Sequence, residues 1–123
     1  MFPYKTKPKY ELELISRPPQ QPDQGVPLLF VHGAYAAAWV WEEYFMPFFS
    51  AHGYQCHALS LRGHGGSEGH EYLALTSLDD YVADLEQVIG DMPQHPVLIG
   101  HSMGGMVVQQ YLQKHQAPGA ALL

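Results

Sequence analysis

Short apolar runs alternate along this chain with stretches of helical periodicity. Leu28-Leu29-Phe30-Val31, Cys56-His57-Ala58-Leu59-Ser60-Leu61 and Pro96 to Ile99 are nearly continuous apolar segments, the pattern of strands buried on both faces of a parallel sheet. Between the last two, Leu78, Tyr81, Val82, Leu85, Val88 and Ile89 fall on one helical face, and Ser77 followed by Asp80 resembles a capping box. Gly90, with Pro93 beyond it, is the expected stop. A second helix is expected after Ser102, with Val107, Val108, Tyr111 and Leu112 inward and Gln109, Gln110, Gln113 and Lys114 outward. Trp39 to His52 is also helical in pattern, but Pro47 is expected to interrupt it or to begin a second short helix, and Gly53 to end it. Tyr10 to Ile15 alternates as a half-exposed leading strand, and Arg17 to Pro27, rich in Pro and Gln, reads as a linker. Pro118-Gly119 reads as a turn into the start of another buried strand. The fold class is therefore α/β, a mostly parallel sheet with flanking helices, divided into a leading segment 1–25 and a core segment 26–123.

Each of the three main strands opens into a glycine-containing turn. These are His32-Gly33, Arg62-Gly63-His64-Gly65-Gly66-Ser67 and Gly100-His101-Ser102-Met103-Gly104-Gly105. Open α/β sheets collect their chemistry at such carboxyl ends. The third turn holds one serine between two glycines, the pattern of a nucleophile elbow, in which a strand bends at once into a helix and lifts the hydroxyl clear of the backbone. The first amides of that helix then point to where an oxyanion would form.

Together, His32-Gly33, the Leu61 to Ser67 turn and the Gly100 to Gly105 turn resemble the amino-terminal half of an α/β-hydrolase, and the resemblance covers nearly all of residues 26–123. It implies a serine esterase or lipase-like enzyme acting through an acyl-enzyme on a small-molecule acyl substrate, without cofactor. Ser102 would be the nucleophile, and the amides of Ala34 and Met103 would form the oxyanion hole. His32, Gly33, Gly100, His101 and Gly104 would support the turns. Tyr35, next to Ala34, would project into the acyl pocket. Where the family often carries an acid, two residues before Arg62, this chain has Ser60.

The family's triad runs serine, acid, histidine along the chain. After Ser102 there is no Asp or Glu, and the one later histidine, His115, is expected at the far end of the same helix, about 20 Å away at helical rise. His32 and His101 belong to the turns themselves, and His64 to the turn of another strand; His32 or His64 would serve only as an unconventional base. The expectation is therefore a fragment of a larger hydrolase, inactive or nearly so by itself and prone to associate through its last apolar edge. The alternative is a noncatalytic binding or interaction protein built on the same fold.

Charge and cysteine content narrow the field further. Net charge is −6, and four of the six cationic residues, Lys5, Lys7, Lys9 and Arg17, lie in the first seventeen, which argues against a nucleic-acid partner. No long apolar run follows that basic start, so neither a signal peptide nor membrane insertion is expected. Cys56 is the single cysteine, in keeping with a cytoplasmic protein, and its place in a buried strand predicts packing rather than reactivity. The histidines lack the spacing that puts two metal ligands on one helical face, so no metal is expected. The clustered aromatics Trp39, Trp41, Tyr44 and Phe45 are expected to pack mostly against the sheet. Oligomeric state is left open.

Overall fold

A computed structural model describes residues 9–123; residues 1–8, with the basic start and the first part of the leading segment, lie outside the described residues. Five strands, β1 Leu14–Arg17, β2 Leu28–Val31, β3 Cys56–Leu59, β4 Val97–Gly100 and β5 Ala120–Leu122, form one sheet in the order β1-β3-β2-β4-β5. All neighbours are parallel except β1, which runs antiparallel to β3 with Leu14 opposite Leu59. The helices are α1 Phe45–Ala51, α2 Leu78–Gly90 and α3 Met103–Tyr111, with 3-10 turns at Ala38–Trp41 and His70–Leu75.

Alternation along the strands divides the core in two. Leu29, Val31 and Leu59 face Leu85, Val88, Val107 and Val108 of α2 and α3. Phe30, Ala58 and Ile99 face Trp41 and Met46 on the α1 side. From β2 the chain steps to β3 in one direction, then returns past β2 to β4 and β5 in the other. Right-handed crossovers in opposite directions put their helices on opposite faces, which is why α1 lies across the sheet from α2 and α3. The reversal opens a crevice between the carboxyl ends of β2 and β4, where Val31 pairs with Gly100.

Several elements differ from the sequence reading. The leading strand starts at Leu14 rather than Tyr10; residues 11 and 13 still accept from the amides of Glu68 and Ser60, both at 2.9 Å, but against an irregular turn that cannot continue a ladder. The Trp39 to His52 pattern splits into a 3-10 turn and α1, with Pro47 in the first turn of α1, where its missing N–H is not needed. The helix α3 ends at Tyr111, so His115 lies beyond it. Of the aromatics expected to pack, Trp41 is buried, while Trp39 and Tyr44 stand mostly in solvent and Phe45 partly so. The capping box at Ser77 and Asp80 forms in both directions.

Candidate active site

Between the end of β4 at Gly100 and the start of α3 at Met103 only two residues make the reversal. Ser102 absorbs it with φ 54° and ψ −121°, a conformation L-residues rarely adopt. A Cβ on Gly100 would come within 2.6 Å of the Gly104 carbonyl oxygen, and one on Gly104 within 2.2 Å of the Val31 carbonyl oxygen, so α3 can start only where both are absent. Sheet hydrogen bonds tie the turn down on two sides. His101 donates its amide to Val31, the Leu123 amide donates to Gly100 at 2.9 Å, and the Ser102 amide donates to the Leu123 carbonyl at 3.0 Å. The Ser102 side chain is left exposed.

Gly33 packs directly on this turn; a Cβ there would lie 3.2 Å from Ser102 Cβ. The loop that follows therefore runs beside Ser102. Among the described residues, the backbone amides of Ala34 and Met103 have no hydrogen-bond acceptor, while those of Tyr35, Ser102 and Gly104 do. Two unspent N–H donors thus flank the exposed serine, each on the residue the sequence singled out.

Two of the histidines near the turn, His32 and His64, have both ring nitrogens engaged. His32 is fully buried; its Nε2 accepts from the Leu61 amide at 2.9 Å, so Nδ1 carries the proton and donates to the Gly33 carbonyl at 2.6 Å. Burial pushes its pKa down to about 4, which keeps it neutral. His64 is held in the same tautomer, accepting from the Tyr35 amide at 3.2 Å and donating from Nδ1 to the Arg62 carbonyl at 3.0 Å. His101 lines a small cleft with Val40, Trp41, Phe45 and Leu123. His115 pairs with Glu86 at 2.7 Å and stacks on Tyr111, past the end of α3 opposite Ser102.

A cleft of about 530 Å³ adjoins Ala34 and Met103, lined also by Tyr35, His64, Glu71, Thr76 and Tyr81. Tyr35 stands at its edge with φ 60° and 87% of its surface exposed. The sequence reading found Tyr35 but not Glu71 or Thr76, because a 3-10 turn without apolar periodicity brings them there. It also passed over Asp84, which interrupts the apolar stripe of α2 and is wholly buried. Asp84 accepts from the Arg62 amide at 2.8 Å and from the guanidinium at 2.8 and 2.9 Å, while the Tyr10 ring covers that guanidinium at 4.1 Å. Burial pushes the Asp84 carboxyl up to about 6 against the pull of Arg62. An acid within an apolar helical stripe, with an arginine at a strand end, was the available signal.

Cys56 is buried, and burial raises its pKa to about 11, so its thiol is inert. Among the described residues, no group of three or more His, Cys, Asp or Glu side chains could hold a metal, and no helix is long and apolar enough to cross a membrane.

Comparison with known proteins agrees with this architecture. The family model for the alpha/beta hydrolase fold matches residues 26–121, and the chain belongs to that family. A non-heme chloroperoxidase of Streptomyces lividans is 36% identical over 103 residues, 80% of this chain and 34% of that protein. Protein phosphatase methylesterase 1 of Bos taurus is 32% identical over 98 residues, 77% of this chain and 26% of that protein. Among solved structures, a thioesterase domain from the curacin biosynthetic pathway superposes with a TM-score of 0.77 at 27% identity, covering 93% of this chain and 42% of that domain. The chain thus spans about a third or less of the length of these curated relatives.

Proposed function

We propose that the protein carrying this chain is a serine hydrolase of carboxylic esters or related small acyl compounds, working through an acyl-enzyme. The observation that carries the reading is Ser102, exposed in a strained strand-to-helix turn between two amides without acceptors. Its Oγ attacks the acyl carbonyl, and the tetrahedral oxyanion accepts from the Ala34 and Met103 amides. One such donor is worth about 3 kcal/mol of barrier. Collapse expels the leaving group, and water then releases the acid by the same route.

Proton transfer needs a base, and neither His32 nor His64 is free for it, since both nitrogens of each are engaged. In this reading the triad histidine and acid correspond to the part of the relatives' length that this chain does not span. Relatives that are a methylesterase and a monoacylglycerol lipase support an acyl substrate. Tyr35 contributes to the wall of the adjoining cleft and so to substrate choice. A cytoplasmic setting belongs to the same proposal, supported by the lone buried cysteine.

A fluorophosphonate probe tests the reading in the protein as the cell makes it. Adduct on Ser102, abolished in Ser102→Ala, is the expected result. A folded protein that takes no label would point instead to a noncatalytic binding protein on this fold.

A further inference from the structure

The loop that carries Ala34 is clamped at two points by the turn that follows β3. At one end His64 accepts from the Tyr35 amide. At the other, Ser60 Oγ accepts from the Ala38 amide at 2.9 Å. A serine hydroxyl rotates freely unless its proton is engaged, so the second clamp needs something to orient it. Glu13 does so, since Ser60 Oγ donates to its Oε1 at 2.6 Å and leaves a lone pair aimed at Ala38.

The same carboxylate organises the turn itself. Glu13 Oε1 accepts from the Gly66 amide at 3.0 Å, while the Glu13 amide donates to Ser67 Oγ at 2.8 Å and its carbonyl accepts from the Ser60 amide at 2.9 Å. The glycines are shaped around it. A Cβ on Gly65 would lie 2.7 Å from Glu13 Oε1 and 2.9 Å from Ala37 Cβ, and one on Gly66 would lie 2.8 Å from Glu13 Oε2. These hydrogen bonds favour the ionised form and hold the Glu13 carboxyl below its ordinary pKa.

We propose that Glu13 is a positioning residue for the candidate site, setting through Ser60 and the Gly65-Gly66 turn the placement of the loop that bears the Ala34 amide. It lies in the leading segment, outside the residues 26–121 that the family model matches. The effect on Ser102 chemistry rests on the acyl-transfer reading; the structural role does not.

The test is amide hydrogen exchange together with the rate of fluorophosphonate labelling, in the protein that carries this chain. In Glu13→Gln, exchange at Ala38 and Gly66 is expected to speed up by about tenfold or more, the worth of one charge-assisted hydrogen bond. Labelling of Ser102 is expected to slow, with the melting temperature retained to within a few degrees. Ser60→Ala, cutting the relay from its other end, is expected to loosen Ala38 and spare Gly66. Adding Ser60→Asp to Glu13→Gln restores a carboxylate beside both amides and is expected to recover part of the protection and the labelling rate. Unchanged exchange in Glu13→Gln overturns the proposal. Faster exchange with unchanged labelling overturns the link to the site. If the parent protein takes no label, the acyl-transfer reading fails, and exchange at Ala38 and Gly66 alone decides on Glu13.

Discussion

His32 holds two loops together only while it is neutral, since its Nε2 must accept from Leu61. Its pKa, about 4 in the fold against 6.5 in a free chain, makes protonation favour unfolding. The stability it contributes is complete above about pH 6.5 and is lost as pH falls through about 4. Between pH 7 and pH 4 the loss amounts to about 3 kcal/mol. Asp84 acts in the opposite sense. Its raised pKa gives a contribution present below about 4 and lost as pH rises through about 6, so the two slopes oppose each other over that window. Comparing the parent with His32→Gln isolates the histidine, because glutamine offers an acceptor without titrating. Urea unfolding at several pH values is expected to give a parent advantage that shrinks by about 3 kcal/mol from pH 7 to pH 4. A constant difference across that range contradicts the assignment.

At the scale of elements, the close approach of α3 to the end of β2 sets the position of Ser102. Gly104→Ala would drive a methyl against two carbonyl oxygens at 2.2 and 2.5 Å, so a loss of about 3 kcal/mol or more is expected. Gly90, the last residue of α2, has open space around it, and Gly90→Ala is expected to stabilise by about 0.5 kcal/mol. Opposite signs for the two substitutions in thermal unfolding check the packing account. The strands β2, β3 and β4, the inner face of α2 and the turn at Ser102 were legible because apolar runs and glycine spacing encode them locally. What escaped the sequence depends on partners distant along the chain. Asp84 is tolerable in its stripe only because Arg62 meets it, and the carboxylate of Glu13 matters only because a turn 53 residues later folds around it. The exposure of Trp39 and Tyr44 was missed for a different, local reason. A 3-10 turn and a short α1 rotate these side chains away from the sheet, whereas one continuous helix would have turned more of them inward.

Across the whole molecule the two faces of the sheet are covered unequally. Two helices lie over one side, while α1 and a 3-10 turn lie over the other, where Tyr44, Phe45, Phe48 and Leu123 remain substantially exposed. At the rim, β5 pairs with β4 on one side and presents Leu122, half exposed. Apolar surface of this kind next to a strand edge favours association. Expressed by itself, the 123-residue stretch is expected to give a mass by light scattering that rises with concentration, and Phe48→Glu is expected to lower it; a single monomeric mass throughout contradicts this. The hydrogen bond from the Ser102 amide to the Leu123 carbonyl also has a consequence for synthesis. A ribosome that has just delivered Ser102 has not yet made the acceptor for its amide, which arrives 21 residues later. The strained bend at Ser102 therefore lacks this latch until β5 emerges and docks, so the turn is completed only after the helix that follows it has been made.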